Sequence, residues 1–133
     1  MNSSLPIRSP CPPGACTCDR EQLLQLPGAA SRILLLTRQE EKRLLERLEN
    51  IQSLEDLEHM QRRLHEQLGI RLEIAPGHNE VRSMRGIGIH IDDLPGLCRK
   101  TRQAIPAAIR RGLEKHPEIA YRLLDAHDLF RGL

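Results

Sequence analysis

The sequence predicts an α+β fold that is mostly α: a helical pair, one short β-hairpin and two or three short C-terminal helices. Three observations lead there. Leucines recur at three- and four-residue steps between Thr37 and Gly69, the spacing of one helix face. Two short segments, 70–75 and 81–91, alternate apolar and polar residues, the period of a half-buried strand. Aromatic residues are 2% of the chain, Tyr121 and Phe130 with no Trp, so the core must be built from Leu, Ile and Ala. That is the composition of packed helices, because β-rich cores lean on aromatic and β-branched side chains.

The elements follow in order. Residues 1–19 are rich in Ser, Pro and Cys, and five of the nine prolines fall between Pro6 and Pro27. Residues 1–30 are read as an extended Pro/Cys-rich arm, with a short helical turn at 21–26, and residues 31–133 as a single mostly helical domain. The apolar run 32–36 leads into Thr37-Arg-Gln-Glu40, a capping box in which the Thr hydroxyl accepts from the Glu40 amide. Leu44, Leu45, Leu48 and Ile51 follow at helical spacing. Ser53-Leu-Glu-Asp56 is a second N-cap, and Gly69 suits the left-handed position after a helix. Two helices, 38–50 and 54–68, are expected, with one long kinked helix as the alternative. Leu44, Leu48, Leu57, Leu64 and Leu68, with Ile87 and Ile89, are expected to form the main core.

Pro76-Gly77-His78-Asn79 is a turn between the two strand segments. Ile87, Ile89 and Ile91 share one strand face, with Gly86, Gly88 and His90 on the other. Asp93 is placed to cap a helix opening near Pro95-Gly96. Residues 97–104 read as helix. Pro106 and Pro117 each stand where a new helix begins, giving 106–115 and 117–130.

Charge is uninformative in sum, +2 with a pI near 8.5, and informative in distribution. Residues 99–115 hold six basic side chains, Arg99, Lys100, Arg102, Arg110, Arg111 and Lys115, against Glu114 alone. Residues 37–69 hold eight acids and six bases. No apolar run near the N-terminus resembles a signal-peptide core, and no stretch approaches the ~20 apolar residues that span a bilayer. A cytoplasmic, reducing compartment without a membrane partner is therefore expected, in which cysteines serve as thiols or metal ligands rather than disulfides.

Cys11, Cys16 and Cys18 stand in C-P-P-G-A-C-T-C, and Cys98 lies far along the chain. Four thiolates are the usual complement of structural zinc or an iron–sulfur cluster. The small residues between the first three let a loop curl with its amides toward the sulfurs, provided the chain turns at Thr17. The C-x4-C-x1-C run is one residue shorter than the plant-type ferredoxin run, and the strand-rich body of that family is missing, so no family is assigned. The plain alternative is a thiol-bearing arm with Cys98 buried as a small apolar residue. A nucleophilic Cys98, activated by a helix N-terminus and by Arg99, Lys100 and Arg102, lacks a neighbouring base in the sequence.

Six histidines are scattered without HExxH or i, i+4 spacing, and no P-loop, GxSxG or Rossmann glycine pattern occurs. No catalytic motif is therefore found, and an enzyme is the least expected reading. The expected function is that of a small intracellular accessory or regulatory protein with a protein partner. In this reading Cys11, Cys16, Cys18 and Cys98 hold zinc or an iron–sulfur cluster. Two alternatives stand beside it. One is a nucleic-acid-binding module whose Arg99, Lys100, Arg102, Arg110 and Arg111 contact phosphates, with five contacts giving a log–log salt slope of about −4 on duplex DNA. Its counterpart is a basic face neutralised internally by the acidic helical pair or by Asp125 and Asp128. The other alternative is a protein–protein adaptor that uses the leucine-rich helical pair.

Overall fold

The computed structural model describes residues 28–76 and 87–126. It opens on a 3-10 helix, Gly28–Leu35, whose Ile33 and Leu34 are buried. This element spans the boundary placed at residue 30. Then come α1 (Arg38–Glu49), α2 (Leu54–Leu68), β1 (Leu72–Pro76), β2 (Ile87–Ile91), α3 (Arg99–Lys115) and α4 (Pro117–Ala126). The fold is α+β and mostly α, as the sequence predicts. The helical turn expected at 21–26 and the strand start at 81–86 lie outside the described residues.

Local signals set most boundaries. The Thr37 hydroxyl accepts from the Glu40 amide at 3.2 Å, and the Ser53 hydroxyl accepts from the Asp56 amide at 3.1 Å. Each satisfies an amide that a helix start leaves without an intrahelical partner. Gly69 ends α2 at φ 75°, a conformation costly for any residue with a Cβ. His116 closes α3 and Pro117 opens α4. In the hairpin Leu72 pairs with Ile91, Ile74 with Ile89 and Pro76 with Ile87, antiparallel. Leu72, Ile74, Ile87 and Ile91 are buried and Ile89 half-buried, whereas Glu73, Gly88 and His90 face outward.

Two expectations are corrected near the C-terminus. Residues 99–115 form one continuous helix with Pro106 inside it, not two helices divided there. Proline supplies no amide to the Arg102 carbonyl, a local loss that ordinarily ends a helix. Here Thr101, Ile105, Ala108, Ile109, Gly112 and Leu113 form one unbroken buried stripe across the proline. Burial of that stripe outweighs one missing hydrogen bond. Nor does a helix begin at Pro95. Pro95-Gly96 is a turn with Gly96 at φ 87°, and Asp93 pairs with Arg102 instead of capping.

The core also sits elsewhere than the leucine pattern suggests. α1 packs along α3, while α2 packs on the 3-10 helix, α4 and β1. The two consecutive helices meet chiefly at their near ends, where Arg47 of α1 donates from both terminal guanidinium nitrogens to the Asp56 carboxylate of α2. Leu48, Leu57, Leu64 and Ile87 are buried as expected, but Leu44, Leu68 and Ile89 are only partly so. Much of the core comes from the C-terminal helices, through Ile105, Ile109, Leu113, Ile119 and Leu123.

α1 and α3 run in the same direction along their contact. Thr101, in the first turn of α3, donates to Glu41 in the first turn of α1 at 2.9 Å, and Arg111 near the end of α3 pairs with Glu49 at the end of α1. This places a carboxylate beside the positive end of α3 and a guanidinium beside the negative end of α1, both favourable to the helix dipoles.

Candidate functional site

Of the four cysteines assigned to a metal, Cys11, Cys16 and Cys18 lie outside the described residues. Cys98 is half-buried in the N-cap position of α3, and its side chain does not cap the helix. Among the described residues no group of three or more His, Cys, Asp or Glu side chains is placed to hold a metal ion. No helix of the described residues is long and apolar enough to cross a membrane.

The basic stretch lies on α3, but its cations are unequally available. Arg102 pairs with Asp93, Arg111 pairs with Glu49, and Arg110 donates to the Ile87 carbonyl at 2.9 Å, tying α3 to β2. Three of the five residues proposed for phosphate contact therefore have protein partners. Arg99 and Lys100 are exposed at the start of α3 and carry no ion pair among the described residues.

A groove of about 910 Å³ lies between α1, α2 and the 3-10 helix. It exists because α1 turns its buried face to α3 and α2 turns its own to the 3-10 helix and α4. Among the described residues, that leaves the leucines between the two helices incompletely covered. Leu35, Leu36, Leu44, Met60, Leu64 and Leu68 line its floor; Leu36 and Leu64 are buried and the rest half-buried. Met60, Leu64 and Leu68 lie at four-residue steps on one face of α2. That stripe is about 12 Å long at the helical rise.

Around this floor stand Glu40, Arg43, Arg47, His59, Arg63 and Gln67, all exposed, with Arg32 half-buried at the end of the groove. Arg32 donates to the Glu66 carbonyl in the last turn of α2 at 2.6 Å, where a cation is favoured. Arg43 makes a 3.2 Å contact with Glu40 on its own helix, both side chains largely in solvent. Arg47 is committed to Asp56. That carboxyl is held below its ordinary range chiefly by the guanidinium hydrogen bonds, with burial opposing and the Gln52 amide adding to the effect. Arg63 has no ion pair among the described residues. The lining thus carries four guanidinium groups against one carboxylate, over an apolar floor.

A second acid–base contact braces the start of α2. Arg122 of α4 reaches both oxygens of Glu55, at 2.8 and 2.6 Å. The Arg122 hydrogen bonds, followed by the backbone amide of Glu55 itself, hold this carboxyl down to about 2 from an ordinary 4.5.

The sequence marked the leucine stripe and the adaptor reading, but not the groove or its basic rim. Arg43, Arg47 and Arg63 sit in a region where acids outnumber bases, so a linear charge count conceals them. Their helical positions beside Leu44, Met60 and Leu64 were the available signal. The chain matches no protein-family model, no curated protein and no solved structure.

Proposed function

We propose that this protein is a small adaptor that binds another protein through the groove between α1 and α2. The observation that carries the reading is the apolar floor that the described residues leave uncovered, above all Leu44, Met60 and Leu68, which are half-buried within a concave surface of about 910 Å³. Contiguous apolar surface of this kind, rimmed by polar residues, marks interaction sites on soluble domains. Its shape agrees with helix-in-groove recognition, where a partner inserts side chains at i, i+4 and i+7, a span of about 10 Å.

Selection from a displayed library of helical peptides tests this. Bound peptides should lose affinity for Met60→Glu, which places a charge on the floor at a half-buried position while the circular dichroism spectrum is retained. Failure to select any peptide sensitive to Met60→Glu or Leu68→Glu removes the adaptor reading.

A further inference from the structure

We infer that the occupant of the α1/α2 groove is an acidic amphipathic helix of a partner protein, its apolar face on the leucine floor and its carboxylates against Arg43 and Arg63. This rests on the adaptor reading and adds the chemistry of the partner. The argument is charge complementarity. Four arginines and one glutamate surround an apolar floor. Arg47 is taken by Asp56, and the Arg43–Glu40 contact is a solvent-exposed pair worth little to hold. Arg63 has no ion pair among the described residues. A ligand that brings carboxylates therefore meets, on the α2 wall, Arg63, which has no ion pair among the described residues, and, on the α1 wall, Arg43, held only by a solvent-exposed contact to Glu40. A cationic ligand meets repulsion on both. Guanidinium groups also suit carboxylate recognition, since their planar fork can donate two parallel hydrogen bonds.

Geometry favours a helix over an extended segment. The floor is set by Met60, Leu64 and Leu68 at four-residue steps, and the arginines flank it on two walls. A helix with leucines at i, i+4 and i+7 presents acids on both sides of that stripe, one set toward each wall. A strand sends alternate side chains to opposite faces and would aim half of them away from the groove.

The test uses the full chain and two labelled peptides of about 16 residues, long enough for several helical turns. Both carry leucines at i, i+4 and i+7; one has glutamates and the other lysines at the flanking positions. Fluorescence anisotropy should show the glutamate peptide binding at least about tenfold tighter at about 50 mM salt, with the gap closing near 500 mM. Arg63→Glu and Arg43→Glu should each weaken the glutamate peptide by about fivefold or more and strengthen the lysine peptide. That gain separates a charge effect from a folding defect. If both peptides bind equally and both are lost with Met60→Glu, the acidic-partner inference falls and the adaptor reading stands. If neither binds and the display selection is also empty, both fall. A concentration-dependent dimer dispersed by Met60→Glu would give the groove to a second copy of the chain and overturn the inference. So would displacement of the glutamate peptide by micelle-free fatty acid with no response to the arginine reversals.

Discussion

Gly112 of α3 lies against Leu48 of α1 so closely that a Cβ on the glycine would stand 2.7 Å from the Leu48 carbonyl oxygen and 2.9 Å from Cγ1 of Ile51. The oxygen belongs to the backbone and cannot swing aside. The approach of α1 to α3, and with it the turning of α1 away from α2, depends on this missing side chain.

Gly112→Ala is expected to destabilise the protein by about 1–2 kcal/mol. Overpacking a close contact costs roughly 1–3 kcal/mol, and better helix propensity returns up to about 1. A thermal melt should fall by several degrees. An unchanged or raised midpoint would mean that α1 and α3 separate without cost.

Leu48 and Leu44 should respond differently to truncation, although the leucine pattern treats them alike. Leu48 is fully buried against α3, so Leu48→Ala should cost about 2–5 kcal/mol. Leu44 is half-buried in the groove, and its loss should cost about 1 kcal/mol. Urea titrations of the two variants give the comparison. Equal losses would put the core between α1 and α2.

The Glu55–Arg122 contact predicts a pH window. Glu55 titrates at about 2 in the folded chain and near 4.5 when unfolded. The unfolded state therefore binds the extra proton between these values, and stability is present above about 4.5 and lost as pH falls toward 2. Asp56, also held low by its arginine partner, acts in the same direction. Glu55→Gln should narrow the difference in melting temperature between pH 7 and pH 3. A difference that stays the same would mean the contact is not kept in solution.

For the cysteines, the proposal from the sequence is a site made by Cys11, Cys16, Cys18 and Cys98. Protein purified without oxygen should then carry about one zinc ion or one iron–sulfur cluster per chain. Cys98→Ser should lower the metal content and leave the helical circular dichroism signal in place. Metal-free native protein rules the site out.

For nucleic acid, the internal pairing of α3 revises the expected salt dependence. With Arg102, Arg110 and Arg111 engaged, Arg99 and Lys100 are left, and two phosphate contacts give a log–log slope of about −2 on duplex DNA rather than −4. A slope near −4 in an anisotropy titration would show that the arginines leave their protein partners for phosphate.

What the sequence determined by itself is what acts within a turn or two of chain. Thr37, Ser53, Gly69 and Pro117 mark helix ends because their effects are hydrogen bonds to, or backbone angles at, immediate neighbours. Alternation in 70–75 and 87–91 sets the buried face of the hairpin for the same reason, since the strand period is a local property. The leucines of the groove floor were legible as a helical stripe. The tertiary structure alone decided what covers that stripe and what does not. It carried α3 through Pro106, because the buried face from Thr101 to Leu113 is rewarded by α1 and the hairpin rather than by the helix itself. It set Arg102, Arg110 and Arg111 against Asp93, Ile87 and Glu49, pairings that join residues as far as 62 apart in the chain. It also left Leu44, Met60 and Leu68 half-covered among arginines. Burial is non-directional, so a periodic stripe says that a face is to be covered and never by which element.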